Sequence, residues 1–211
     1  MSRILDMGLQ LLTQRLEEMF NIGINSFYRS IDGLLQYRDV ENEVFESARK
    51  LRDLHEEISE IATELIARYQ PVAKDLRYIR SCYNISYDIL RMGRYALEIT
   101  RSSRMLGSLL ECDLTPISEA SEVIGQMLRN SLQALQELNV EMARKVREMD
   151  EKIDEIYRER IRAITLERNG SRECDVAIVL TLRNLERIAD HATYICDAVE
   201  YIVTGTLRHR E

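Results

Sequence analysis

The sequence contains few residues that interrupt helices: 2 prolines and 8 glycines among 211 residues. Sheets need many turns, which are rich in both residue types, so this scarcity indicates a small number of long helices. No run of about 18 uncharged apolar residues occurs, and we therefore expect no membrane-spanning segment. The N-terminal residues also lack the long apolar core of a secretory signal, so we expect a cytoplasmic protein.

Positive charge is also in short supply, because 36 Asp and Glu residues exceed 29 Lys and Arg residues and give a net charge of −7. The phosphates of nucleic acid would be repelled on average, so nucleic acid is not an expected partner. An acidic protein can still attract metal cations or a basic patch on another protein.

The 4 cysteines form no C-x-x-C pair and are scattered along predicted helices. This pattern favours small, partly buried apolar side chains in a reducing cytosol over disulfides. The residues are Cys82, Cys112, Cys174 and Cys196.

Helix start and stop signals divide the chain into six helical segments. Thr115 followed by Pro116 predicts an N-cap and a first turn for the fourth helix. Asn139 is placed to cap the fifth, 169–171 is the clearest turn, and Gly205 stands at the expected end of the sixth. We expect the helices at about 4–36, 40–69, 72–104, 116–138, 139–167 and 171–204.

The two halves of the chain, on either side of a break at 107–116, resemble each other weakly. Residues 34–41 match 134–141, and residues 88–96 match 184–192. Three long helices on each side of the break therefore indicate an internal duplication.

The sixth helix has an apolar stripe whose steps alternate between three and four residues, as a bundle seam requires. We therefore predict an all-α fold of two tandem antiparallel three-helix bundles, in residues 1–108 and 113–207. The stripe consists of Ile178, Leu182, Leu185, Ala189, Ala192, Cys196, Val199 and Val203.

Two acidic pairs lie beside the buried face, Asp150/Asp154 on the fifth helix and Glu186/Asp190 on the sixth. Residues four apart share a helix face, so each pair points two carboxylates the same way and they repel. A cation facing both pairs removes this penalty. Oxygen-only ligands suit magnesium, calcium, manganese or iron better than zinc.

The alternative to a cation site is an ordinary charged surface. Acidic pairs with the same spacing occur elsewhere, as at Asp53/Glu57, and Arg147 and Arg187 are placed to neutralise the carboxylates. The Glu-x-x-His sequence of di-iron bundle enzymes is absent, which counts against a redox enzyme. His191 lies on a bundle helix, but it lacks the lysine and glycine that usually surround a phosphotransfer histidine.

The segment 184–192, continuing to 201–205, resembles the signature of the PhoU family of phosphate-uptake regulators. Residues 66–77 and 150–154 resemble further stretches in the family's order, and the two-repeat layout accounts for almost the whole chain. The resemblance implies two three-helix bundles that are usually dimeric. It also implies a cytoplasmic role in damping phosphate import through a phosphate ABC transporter and, in bacteria, its sensor kinase.

The resemblance further implies metal clusters held by Glu/Asp-x-x-x-Asp motifs, one cluster in each repeat. Carried over to this sequence, the ligands are Asp150, Asp154, Glu186 and Asp190. The expected cofactor is one or more divalent or trivalent metal ions, with iron, magnesium and manganese as candidates.

The first repeat departs from this pattern. Leu90 and Arg94 stand where the second repeat has Glu186 and Asp190, and an arginine aimed at a cation site opposes binding. We therefore expect no metal site in the first repeat. For Arg91 and Arg94 we expect ion pairs with nearby acids, and the alternative is an anion- or partner-binding surface.

The preceding helix of the first repeat also predicts that no metal site is present there. This holds for either of two possible alignments with the fifth helix. The positions that match Asp150/Asp154 fall on Ala48/Arg52 or on Lys50/Leu54, and neither register supplies two acids.

The leading interpretation is a non-enzymatic regulator that binds a transporter or signalling partner through helix faces. The alternatives are a helical metal-dependent enzyme and a metal-binding scaffold unrelated to phosphate. No nucleophile–base arrangement, phosphate-cradling glycine loop or set of ligand histidines supports an enzyme.

Overall fold

The computed structural model describes residues 3–106, 109–166 and 171–207, and within these ranges the chain folds into six helices. The predicted all-α fold is confirmed. None of the helices in the described ranges combines the length and apolar character needed to cross a membrane. The helices are α1 (Arg3–Leu35), α2 (Glu41–Tyr69), α3 (Ala73–Leu106), α4 (Thr115–Glu137), α5 (Val140–Leu166) and α6 (Arg172–Thr204).

The predicted cap of α5 and the predicted end of α6 are confirmed. The side-chain Oδ1 of Asn139 accepts a hydrogen bond from the backbone N–H of Met142 at 3.0 Å. Gly205 adopts the left-handed conformation, with φ at 78°, and its N–H donates to the carbonyl of Tyr201. This conformation favours glycine at a helix end. Residues 169–170 of the predicted turn lie outside the described residues.

The start of α4 differs from the prediction that Thr115 is its N-cap. The cap position is Leu114, which makes no side-chain cap hydrogen bond. Asp113 supplies the acceptor instead, because its Oδ1 lies 3.1 Å from the backbone N of Thr115. Hydrogen bonds that Thr115 donates to the Asp113 carboxylate also lower the pKa of Asp113. Since Asp and Thr both cap helices, their order before Pro116 did not identify which one does so.

One continuous apolar core runs through both bundles. Helices α1–α3 pack together in the first repeat and α4–α6 in the second, and the repeats join where α3 packs on α6 and α1 on α4. The predicted stripe on α6 is buried except for Val203, which is 41% exposed because it lies in the last turn of the helix. The boundaries at 1–108 and 113–207 stay a prediction.

Helices α3 and α6 pack against each other where the two repeats join. Tyr95 and His191 occupy matching positions in the segments 88–96 and 184–192, and their rings stack with centroids 5.8 Å apart. His191 is buried and forms a hydrogen bond with Asp88. Its burial disfavours a phosphotransfer role, which needs an accessible imidazole.

The expectation of free cysteines is wrong for two of the four. Cys112, in the connection that precedes α4, forms a disulfide with Cys174 in the first turn of α6, and their Cα atoms are 5.3 Å apart. In an antiparallel three-helix bundle the first and third helices start at the same end, so the topology brings together two cysteines that are 62 residues apart. Cys82 and Cys196 are free and buried, as expected.

Candidate cation site in the second repeat

The four predicted ligand residues meet along the groove between α5 and α6. Each carboxylate lies next to the buried seam and is itself only partly buried. The sequence places them there because each is one step away from an apolar position of the stripe on its own helix. These residues are Asp150, Asp154, Glu186 and Asp190.

Asp150 interacts electrostatically with the other three carboxylates. Partial burial, followed by repulsion from Asp190, Asp154 and Glu186, raises the pKa of Asp150 from 3.8 to about 7. Partial burial also raises the pKa of Asp190, although Arg187 and His191 oppose the change. A carboxylate with a raised pKa beside other carboxylates marks a place where positive charge would be stabilising.

Arginines on the same helices already supply some of that charge. Asp154 pairs with Arg158 at 2.8 Å, and Asp190 with Arg187 at 3.1 Å. Glu186 forms an ion pair with Arg183, three residues before it. The expected pairing by Arg187 is therefore confirmed. The sequence analysis missed the pairs with Arg158 and Arg183, although their i,i+4 and i,i+3 spacings indicate them. Asp150 forms no ion pair with any described residue.

Arg147, the second arginine expected to neutralise the site, pairs with other acids. Its guanidinium lies 3.0 Å from Asp197 and 2.7 Å from Glu200 and is largely buried between α5 and α6. Burial opposes ionisation of Glu200, but hydrogen bonds from Arg144 and Arg147 prevail and lower its pKa. These acids at the C-terminal end of α6 therefore serve a structural ion-pair network.

The donor chemistry of the groove fits a hard cation, but the side chains are not yet oriented for one. Among the described residues, no group of three or more His, Cys, Asp or Glu side chains is arranged to hold a metal ion. Three of the four carboxylates are turned towards their arginines. The arginines of these pairs are 41–68% exposed, and ion pairs with such solvated partners contribute only about 0–1 kcal/mol each, so a cation could displace them.

The structure also decides between the two registers considered for the first repeat. The four matching positions of one register line a single pocket between α2 and α3. In the other register, Lys50 pairs with Glu18 on α1 and Leu54 is buried in the core. The matching positions are Ala48, Arg52, Leu90 and Arg94.

The expected ion pairs of the first repeat do not form. Arg91 donates to the hydroxyl of Tyr95, and its guanidinium lies 4.9 Å from the centre of that ring. Neither Arg91 nor Arg94 pairs with a carboxylate of the described residues. The reason is that the residues beside them on α2 and α3 are mostly further arginines and apolar side chains.

These features define a class: an all-helical protein of two tandem bundles with a carboxylate-lined groove in the second repeat and an arginine-lined pocket at the matching place in the first. Within this class the family can be stated. The PhoU domain matches residues 16–102 and 117–199, once in each repeat, and the chain belongs to the PhoU family.

The similarity extends over nearly the full length of related proteins. A PhoU homologue of the phosphate-specific transport system from Thermotoga maritima is 32% identical over 93% of this chain and 88% of its own length. A homologue from Methanothermobacter thermautotrophicus is 28% identical over 92% of this chain and 91% of its own length. Both carry the name phosphate-specific transport system accessory protein.

Solved structures share the fold. The crystal structure of PhoU from Pseudomonas aeruginosa superposes with a TM-score of 0.87 at 24% identity, covering 95% of this chain and 99% of that one. A phosphate transport system regulatory protein from Streptococcus pneumoniae gives a TM-score of 0.88 at 20% identity, with 98% and 100% coverage. At these identities the similarity establishes the fold alone.

Proposed function

We propose that this protein regulates phosphate uptake by binding a phosphate ABC transporter component or its sensor kinase, and that it catalyses no reaction. The observation that carries the proposal is the PhoU domain matched in both repeats. Relatives of nearly the same length are named accessory proteins of the phosphate-specific transport system. The proposal places the protein in the cytoplasm as a homodimer, where it can reach the inner face of a transporter.

A cation in the second repeat is part of this proposal. The ligands would be Asp150, Asp154, Glu186 and Asp190, and iron, magnesium or manganese suits their oxygen donors. When bound, the ion supplies positive charge that offsets the carboxylate repulsion and ties α5 to α6. The raised pKa of Asp150 supports the assignment, since partial burial and then repulsion from three neighbouring carboxylates both disfavour its charged form.

The regulatory role can be tested in a host that carries a phosphate ABC transporter. The gene is deleted, and the uptake of radiolabelled phosphate is measured in phosphate-rich medium with and without the wild-type gene on a plasmid. We expect uptake to rise in the deletion strain and to return to its original level on complementation. Unchanged uptake in the deletion strain would contradict the proposed role.

Direct partner binding separates the regulator from a metal-dependent enzyme or an unrelated scaffold. The tagged protein is purified from phosphate-rich and phosphate-poor cells, and the transporter ATPase and sensor kinase are sought by immunoblot. In parallel, the metal-loaded protein is incubated with phosphate esters. Recovery of either partner without ester turnover supports the regulator. Turnover that is lost in an Asp154→Ala/Asp190→Ala variant would support the enzyme instead.

A further inference from the structure

The pocket between α2 and α3 in the first repeat is strongly basic. It has a volume of about 550 Å³, and Glu98 is the one carboxylate residue that lines it. The pocket therefore has an excess of positive charge within a chain whose net charge is −7. Its five arginines are Arg49, Arg52, Arg91, Arg94 and Arg101.

Three of these arginines lack a carboxylate partner. Arg52 and Arg94 make no ion pair or side-chain hydrogen bond with any described residue. Arg91 binds Tyr95, whose hydroxyl and ring carry no formal charge. Their guanidinium groups thus keep hydrogen-bond donors available for a ligand.

The other two arginines are only loosely paired. Arg49 lies 3.5 Å from Glu46, and Arg101 lies 3.4 Å from Glu98 and 3.3 Å from Glu41. The Arg49 and Glu46 side chains are 63% and 61% exposed, so water screens their attraction. These pairs neutralise only part of the positive charge of the pocket.

Such a cluster is unfavourable without an anion. Arg49 and Arg52 are one helical turn apart on α2, as are Arg91 and Arg94 on α3, so like charges repel within and between the helices. Arg147, by contrast, is balanced by ion pairs with Asp197 and Glu200. An anion would offset the repulsion in the pocket in the same way.

The residues that line the pocket also indicate which kind of anion suits it. Guanidinium groups bind phosphate oxygens in a planar, bidentate manner, which makes arginine the preferred residue for phosphate recognition. A single phosphate would contact only a fraction of five arginines spread over this volume. The rings of Phe45 and Tyr87 are 44% and 47% exposed at the pocket and add flat apolar surface.

From this geometry we propose that the pocket binds a small molecule with two or more linked phosphoryl groups, namely a polyphosphate or a nucleotide. Arg52 and Arg94 provide the central contacts, because their guanidinium groups have no other partner among the described residues. Arg49, Arg91 and Arg101 add charge around them. This proposal goes beyond the regulatory role and does not rest on it, because binding is measured on the isolated protein.

Isothermal titration calorimetry of the full chain tests the proposal with four probes: inorganic phosphate, pyrophosphate, tripolyphosphate and ADP. A chelator is present so that no cation at the acidic groove can recruit the phosphates. We expect pyrophosphate, tripolyphosphate or ADP to bind more tightly than inorganic phosphate. We also expect their binding to weaken as salt is added. Stronger binding of ADP than of pyrophosphate, lost in Tyr87→Ala, would identify a nucleotide, whereas equal binding would identify a polyphosphate.

The Arg52→Gln/Arg94→Gln variant should weaken binding by at least about tenfold, because each arginine donates charge-assisted hydrogen bonds. Arg94→Lys keeps the charge without the planar fork and should give a smaller loss. The matched control is Arg68→Gln, which removes one exposed arginine at the far end of α2 and should bind as the wild type does. Arg52 and Arg94 are both exposed, so their substitution should leave the fold intact. A cooperative thermal unfolding transition in each variant would show this.

Two results would overturn the proposal. One is the absence of binding by all three linked phosphates at about 1 mM. The other is an equal loss of affinity in Arg68→Gln and in the double variant, since that would reflect overall charge rather than this pocket.

Discussion

Oδ1 of Asp88 on α3 lies 2.8 Å from Nδ1 of His191 on α6, and both side chains are buried. This hydrogen bond crosses from one repeat to the other. Removing the imidazole in His191→Leu takes a partner from a buried carboxyl group, which costs about 2 kcal/mol of unfolding free energy. Urea denaturation followed by circular dichroism measures the loss.

The control for this prediction is Asp88→Asn, which keeps the side-chain volume and an oxygen acceptor at the same place. It should destabilise less than His191→Leu does. If His191→Leu unfolds at the urea concentration of the wild type, the contact between the repeats does not depend on this hydrogen bond.

The metal-free protein should lose stability as the pH rises. The folded-state pKa of Asp150 is about 7, above its ordinary value of 3.8, so between these values the folded protein holds a proton that the unfolded chain has released. Unfolding free energy therefore falls as the pH rises through this window. The change is on the order of 1–2 kcal/mol once solvent screening is allowed for.

Denaturation at about pH 5 and about pH 8 in the presence of a chelator measures this change. Asp150→Asn cannot ionise, so it should be more stable than the wild type at the higher pH and should show a flatter profile. A wild-type profile that rises with pH would show that other groups outweigh Asp150.

Cation binding should compete with the arginines of α6. Arg183 and Arg187 occupy Glu186 and Asp190 in ion pairs, so Arg183→Gln/Arg187→Gln should raise the affinity for manganese by about threefold to tenfold. Titration calorimetry or manganese electron paramagnetic resonance measures the affinity.

Two further variants serve as controls for this competition. Asp150→Asn/Asp190→Asn removes two carboxylates and should weaken manganese binding. Arg144→Gln removes an exposed arginine that pairs with Glu200, and it should leave the affinity unchanged. An equal rise in Arg144→Gln would indicate a general charge effect, and no binding in any variant would contradict the cation site.

Much of the fold could be predicted from the sequence because helix periodicity and capping are local. The stripe from Ile178 to Val199 and the cap at Asn139 each depend on residues within a turn or two. The acidic groove was also predictable, since Asp150 and Glu186 lie beside apolar positions that must face a neighbouring helix.

The features that depend on packing between distant segments could not be predicted. The sequence around Arg94 does not show that Arg49 and Arg52 of another helix line the same pocket. The spacing of Cys112 and Cys174 likewise carries no information about their contact, because only the bundle topology brings them to the same end.

The disulfide should contribute strongly to stability. Cys112 and Cys174 are 62 residues apart, and closing a loop of this length restricts the unfolded chain by about 4 kcal/mol in the loop-entropy model. Thermal unfolding with and without a reductant should show a lower midpoint for the reduced protein. Cys112→Ser/Cys174→Ser should unfold at that lower midpoint in both conditions, which excludes an effect of the reductant elsewhere.

Burial raises the pKa of Cys82 and of Cys196 to about 12, so neither thiol should react with iodoacetamide before unfolding. Detection of four alkylated cysteines in unreduced, unfolded protein would contradict the pairing.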